Sequence, residues 1–127
     1  FPTRRSSDLE DVARFMRDKV RGLCREKFFM LGVDNKNRVN VWEEVSSGTV
    51  SEAVIHPREV FQAAILCNCS SIILCHNHPS GVLAPSAEDK ATTKRMKEAG
   101  EILGIPILDH VIVSESGYYS LKEEGWL

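Results

Sequence analysis

The sequence predicts an α/β domain built on a mixed β-sheet flanked by helices, and three patterns support that fold class. Apolar residues recur at three- and four-residue steps over residues 10–25, which is the spacing of an amphipathic helix. Residues 28–33 and 71–75 are short, almost wholly apolar runs with the length of buried strands. Helical and strand patterns interleave along the chain, and two neighbouring strands form a hairpin, so parallel and antiparallel pairs are both expected.

Length and composition are those of a single globular domain. The chain has 127 residues, of which 43% are hydrophobic and 27% are charged. Its formal charge of −2 gives no general attraction to a phosphate backbone, so nucleic acid is a possible partner that the charge does not support. Four clustered cysteines do not resemble a disulfide framework, and no apolar run approaches the ~20 residues of a spanning helix. We expect a cytoplasmic protein with no membrane association.

The start of the chain differs from the rest. Residues 1–9 are polar and without periodicity, and a regular helical pattern follows them abruptly. They resemble a translated sequencing adapter, so we expect a non-native scar over 1–9 and the native domain over 10–127. On that expectation, the natural protein extends further upstream.

Three helices are predicted from periodicity and end signals. The first covers 10–25, and Asp8 would cap it if that residue is native. The second opens at a proline and covers 58–66. The third covers 86–103 and ends at Gly104. The residues expected to face inward on the second helix are Val60, Phe61, Ala64 and Ile65.

The strand predictions depend on apolar runs bounded by turn residues. A hairpin is expected from the strand 28–33, the turn 34–37 and the strand 38–42. A further strand is expected around 44–54, after which His56-Pro57 forms a stop. The remaining predicted strands cover 71–75, 107–113 and 118–121.

Two histidines follow the buried strand 71–75 and carry the main chemical prediction. Residues two apart on a strand point to the same side, so His76 and His78 can offer two imidazoles to one ion. Asp89, in the first turn of the next helix, can supply a carboxylate. Two imidazoles and one carboxylate leave a tetrahedral position open for water, as in catalytic zinc sites.

The same residues also have a simpler interpretation. A His-x-His pair is common, and Ser86-x-x-Asp89 is a capping box for the third helix. Spacing alone leaves a metal site and a helix cap equally open. The two are compatible, because a capped helix would hold Asp89 rigidly.

These motifs resemble a known family. His76-x-His78-Pro79, six further residues and Ser86-x-x-Asp89 reproduce the JAMM signature of the JAB/MPN metalloprotease superfamily. The run from His76 to Gly81 is similar to the RadC branch, whose members have carried a DNA-repair name. Other segments that resemble RadC in the same order are His56-Pro-Arg-Glu59, Leu108-Asp-His110 and Glu124-Gly-Trp126. Full RadC-type proteins have a helix-hairpin-helix-like region upstream.

The resemblance implies a cytidine-deaminase-like α/β architecture and a zinc-dependent hydrolase. It implies that His76, His78 and Asp89 bind Zn²⁺ and that Ser86 stabilises the oxyanion of a peptide or isopeptide bond under attack. The substrate would be a peptide or protein. The rival function is a DNA-associated repair accessory domain with a structural or inactive metal.

A glutamate is implied as the general base. In the superfamily it lies at an early helix-to-strand junction, and Glu26 holds the matching place. Glu43 and Glu44 are the rivals on the second hairpin strand, although exposed strand carboxylates are usually only surface residues.

Further histidines and the cysteines are secondary candidates. His56 and His110 are more often structural than metal ligands, although His110 could also donate to or orient a ligand carboxylate. Cys67 and Cys69, with Cys75 and His76, allow a structural zinc site, but the cysteine spacing is poor for one and burial is the preferred interpretation. Cys75 should point away from its neighbour His76.

Overall fold

Three helices and five strands make up the part of the chain that the computed structural model describes, residues 9–46 and 55–127. The helices are α1 (Leu9–Val20), α2 (Pro57–Leu66) and α3 (Ala87–Leu103). The strands are β1 (Phe28–Val33), β2 (Val39–Ser46), β3 (Ser71–Asn77), β4 (Ile107–Ser114) and β5 (Gly117–Ser120). The predicted α/β class is confirmed.

The strands form one mixed sheet in the order β2-β1-β3-β4-β5. β1 is antiparallel to β2 and to β3, whereas β3 and β4 are parallel and α3 connects them. β3 is therefore central, and it is buried at every position. Near its carboxyl end, His76 lies opposite Phe28 of β1 on one side and Ile112 of β4 on the other.

Helices cover both faces of the sheet. α1 packs on one face, in a core that includes Val12 and Met16 from the helix and Ile73 from β3. α2 and α3 pack on the other face, with Phe61 and Met96, and there Leu74 of β3 points inward. The alternation along β3 places Cys75 in the α1 core, on the side opposite to His76, as predicted.

The first helix is shorter than predicted. α1 begins at Leu9 but ends at Val20, because Gly22 takes a left-handed φ of 78° and the Leu23 N–H donates to the Val20 carbonyl at 3.1 Å. The apolar periodicity to residue 25 concealed this stop. Residues 23–27 instead form a link that carries Glu26 to the start of β1.

Other boundaries differ in smaller ways. β3 runs to Asn77 rather than residue 75, because its pairing with β4 continues to Val113. On α2, Ala63 is buried together with the predicted Val60, Phe61 and Ala64. Ile65 is 53% exposed and was wrongly predicted to face inward. β2 runs without a break from Val39 to Ser46, so the prediction of one strand ending at residue 42 and another beginning at 44 was wrong there. The rest of the strand predicted over 44–54 and the Asp8 cap lie outside the described residues. Nearly all of the predicted scar over 1–9 also lies outside them and stays a prediction.

Within the described residues, none of the helices combines the length and apolar character that crossing a membrane would require.

Candidate metal centre

His76 occupies the most enclosed position of the candidate centre. It lies near the end of β3, is 2% exposed, and stacks on Phe28 with ring centroids 5.8 Å apart and planes at 12°. Its Nδ1 lies 2.8 Å from Nε2 of His110, deeper in the protein. Its Nε2 faces outward, to the carboxyl end of the strand, where the other candidate ligands converge.

His78 lies just beyond β3 in a turn that returns over the strand end. Its backbone N–H donates to the Val113 carbonyl at 3.0 Å, which extends the parallel pairing. Gly81, with φ of 89°, closes the turn by donating to the His78 carbonyl. The His78 Nδ1 lies 2.7 Å from the Val82 carbonyl oxygen. A carbonyl only accepts, so Nδ1 carries the proton.

Asp89 serves the helix cap and the candidate centre together. The Asp89 N–H donates to Ser86 Oγ at 3.0 Å, and the Ser86 N–H donates to Asp89 Oδ2 at 2.8 Å. This is the predicted capping box at the start of α3. Ser86 itself is exposed, and accepting this bond leaves its hydroxyl proton able to donate.

The candidate ligands meet at short distances. The Nε2 atoms of His76 and His78 are 2.9 Å apart, and each lies 3.2 Å from one Asp89 carboxylate oxygen. Glu26 Oε2 lies 3.2 Å from the His78 Nε2 and 3.5 Å from the His76 Nε2. One ligand atom from each residue lies within 4.8 Å of all the others, so the group could hold a metal ion.

Proton sharing in this cluster shifts the pKa values of its members. Hydrogen bonds with Asp89 and Glu26 raise the pKa of His78 to about 10. Burial raises the pKa of Asp89, but hydrogen bonds from His76 and His78 outweigh it and hold this pKa far below its usual range. This cluster of side chains thus stabilises positive charge beside an ionised carboxylate, and a cation site has the same electrostatic requirement.

Glu26 is held in place through its neighbours in the chain. The buried Asn77 side chain accepts from the Lys27 N–H at 2.7 Å and donates to the Arg25 carbonyl at 3.0 Å. These bonds fasten the backbone on both sides of Glu26, while its own side chain remains 49% exposed. The glutamate therefore reaches the cluster from its solvent-exposed side.

The rival glutamates lie elsewhere. Glu44 pairs with Lys27 at 3.3 Å, and Glu43 is exposed on β2. Among the described residues, the grouping of candidate ligands includes neither of them. It includes no cysteine either: Cys69 and Cys75 are buried, and desolvation raises the pKa of both thiols.

Behind the centre lie residues whose contacts the sequence did not reveal. His110 is fully buried, and its side chain contacts the His76 imidazole, not a ligand carboxylate as the alternative interpretation had it. Burial lowers the pKa of His110, so its ring is neutral at physiological pH. Thr93 of α3 hydrogen-bonds His110 Nδ1 and donates to the Asp89 carbonyl at 2.8 Å. The exposed His56 is outside this group.

A cavity of about 710 Å³ adjoins the centre on the α1 side. His78, Asn77 and Pro79 form its border with the cluster, and Arg17 and Cys24 are among the residues opposite. The Arg17 guanidinium donates to the carbonyls of Ser114 and Glu115 at 3.1 and 2.8 Å. These bonds join α1 to the end of β4 and the turn that follows it, at one wall of the cavity. The cavity leads from solvent to His78.

The mixed sheet with three flanking helices, and with a His, His, Asp and Glu cluster at the carboxyl end of its central strand, has the architecture of a JAB/MPN domain. The family model described as "RadC-like JAB domain" matches residues 6–126. The chain therefore belongs to the RadC-like JAB domain family.

Curated relatives support the same assignment. A UPF0758 protein of Staphylococcus haemolyticus is 49% identical over 116 residues, which cover 91% of this chain and 51% of the relative. A UPF0758 protein of Methanosarcina barkeri is 44% identical over 126 residues, covering 99% and 55%. Another, from Rubrobacter xylanophilus, is 48% identical over 117 residues, covering 92% and 51%. The chain spans about half the length of these relatives, whose names state no activity.

Proposed function

We propose that this domain is a zinc-dependent metallohydrolase that cleaves a peptide or isopeptide bond with metal-activated water. His76, His78 and Asp89 would hold the ion. The observation that carries the proposal is the convergence of both Nε2 atoms and the Asp89 carboxylate within 3.2 Å of one another, with Glu26 at the open side.

The donor set fits zinc. Zn²⁺ is commonly bound by imidazole nitrogen and carboxylate oxygen, and three protein ligands with an open position are typical of catalytic sites. The His78 Nδ1 proton is committed to the Val82 carbonyl, which leaves Nε2 as the nitrogen able to bind. When bound, the ion would supply Lewis acidity, polarising a substrate carbonyl and lowering the pKa of water to about 7.

The chain's own residues would move the proton and support the reacting carbonyl. Glu26 is ionisable, half-exposed and adjacent to both imidazoles, which suits a general base that takes a proton from water and gives it to the leaving amine. Ser86, at the N-cap of α3, would donate a hydrogen bond from its hydroxyl to the developing oxyanion. The cavity bordered by His78 and Pro79 would receive one side of the substrate.

Metal content tests the ligand assignment. Purified wild-type protein is expected to contain about one zinc per chain by mass spectrometry, and His78→Ala is expected to lose it. His56→Ala is the matched control, because it removes an exposed histidine outside the cluster. Full zinc content in His78→Ala would contradict the assignment.

The base is tested separately from the ligands. Peptide mixtures digested in ¹⁸O-water are expected to gain label at new carboxyl ends with the wild type. Glu26→Gln should retain zinc and lose this incorporation, whereas Glu44→Gln should retain both. Loss of zinc in Glu26→Gln, or undiminished incorporation, would move the base to Glu43 or Glu44.

The DNA-associated alternative has its own assay. A mobility-shift titration across salt concentrations would support it if binding weakened steeply with salt. With a formal charge of −2, we expect no shift at low salt, which would remove this alternative.

A further inference from the structure

We propose that Thr93 and His110 are positioning residues that keep the His76 proton on Nδ1, so that Nε2 presents its lone pair to the ion. The inference rests on the proposed metal site. It assigns a role to two residues that make no contact with the ion, and it concerns the direction of the hydrogen bonds that join α3 to the central strand.

The direction of these hydrogen bonds follows from the Asp89 backbone carbonyl, which can only accept. Thr93 Oγ1 lies 2.8 Å from the Asp89 backbone carbonyl, which has no proton to give, so the hydroxyl donates there. The hydroxyl has only one proton. Thr93 must then accept from His110 Nδ1, with which it is also hydrogen-bonded.

The same reasoning continues to the ligand. A neutral imidazole that is protonated on Nδ1 has an unprotonated Nε2. The His110 Nε2 therefore accepts from His76 Nδ1, 2.8 Å away. With Nδ1 engaged by His110, the Nε2 of His76, the atom that faces His78 and Asp89, is the nitrogen left to bind an ion.

The Nδ1 atoms of the two candidate ligand histidines have different hydrogen-bond partners because the two residues lie in different surroundings. His78 lies in a turn, where the Val82 carbonyl is directly available to its Nδ1. His76 lies inside the sheet, where its backbone neighbours are committed to strand pairing. The carbonyl that finally sets its tautomer belongs to Asp89, so one candidate ligand orients another through Thr93 and His110.

Long-range ¹H–¹⁵N spectra of metal-free wild-type protein test the bond direction without any ion. These spectra report which nitrogen of each imidazole carries the proton. The expected result is Nδ1–H for both His76 and His110. A proton on Nε2 of His110 would overturn the proposal.

Thr93→Val tests the consequence, because it replaces the hydroxyl with a methyl group of similar size. Its zinc affinity, measured by competition with a chromophoric chelator, is expected to fall about 10- to 100-fold. Thr93→Ser keeps the hydroxyl and should restore affinity to near the wild-type value. Thr92→Val, one position along α3, is the matched control and should bind as the wild type does.

The outcomes separate this inference from the proposed function. If the wild type binds no zinc, the proposed function fails, and the tautomer spectra still decide the bond direction. If the wild type binds zinc and Thr93→Val binds it equally well, the positioning role fails while the metal site stands. If serine does not rescue, helix packing rather than the hydroxyl is responsible and the inference is overturned.

Discussion

Asn77 and Lys27, fifty positions apart in the chain, are joined by a 2.7 Å hydrogen bond from the Lys27 N–H to the Asn77 side-chain oxygen. Asn77 lies between the two candidate ligand histidines, yet its side chain points to the other face of the sheet and holds the link that carries Glu26. The strand that presents the imidazoles also places the carboxylate beside them.

Asn77→Ala should release that link without removing a ligand. We expect zinc content to persist, hydrolysis to fall, and the free energy of unfolding to drop by about 1–3 kcal/mol, because both hydrogen bonds of the Asn77 side chain are lost. Hydrogen exchange at the Lys27 amide should accelerate. Asn40→Ala, on β2, is the control, and unchanged exchange in Asn77→Ala would contradict the role.

Ser86→Ala should destabilise the start of α3. Loss of an N-cap hydroxyl costs about 1 kcal/mol, because the Asp89 N–H loses its acceptor. Urea denaturation measures this change, and Ser86→Thr should restore stability by keeping a hydroxyl. A Ser86→Ala protein as stable as the wild type would indicate that the cap contributes nothing.

Gly81→Ala should strain the turn that holds His78. The φ of 89° is unfavourable for residues with a Cβ, by about 1–2 kcal/mol. We expect lower stability and weaker zinc binding together. Gly104→Ala is the matched control, since its φ of 75° carries the same strain at the far end of α3, where only stability should fall. Equal zinc affinity in both variants would show that the turn does not orient His78.

The stability of metal-free protein should depend on pH through His78. The raised pKa of about 10 means that protonated His78 stabilises the fold. This contribution is complete below the unfolded pKa of about 6.5 and is lost as pH rises through about 10. The difference in unfolding free energy between wild type and His78→Gln, measured by urea denaturation at several pH values, should shrink from pH 6 to pH 10. A constant difference would contradict the shift.

Much of the fold follows from local pattern. Turn residues 34–37 and the apolar runs around them specify the hairpin, and the proline and glycine end signals specify α2 and α3, because these effects act within a few residues. The end of α1 was missed because Phe15, Met16 and Leu23 maintain an apolar period across Gly22. A positive φ at one glycine outweighed the periodicity.

The residues of the candidate site also differ in how far the sequence could predict them. His76, His78, Asp89 and Ser86 are close in sequence, so strand alternation and the capping box brought them together as candidates, although spacing alone left a metal site and a helix cap equally open. Glu26 required a resemblance to a family. Asn77 and Thr93 had no signal of their own, because their contacts join segments that come together only when the sheet and its crossover helix have formed.

The double use of Asp89 has a consequence for side-chain length. As a capping residue at the third position of α3, glutamate would serve as well as aspartate, since a longer arm also reaches the N-cap backbone. Beside two imidazoles at 3.2 Å, one additional methylene would carry the carboxylate past the point where the nitrogens meet. The shorter acid thus satisfies the helix and the metal site at once, and Asp89→Glu would separate a requirement of folding from one of chemistry.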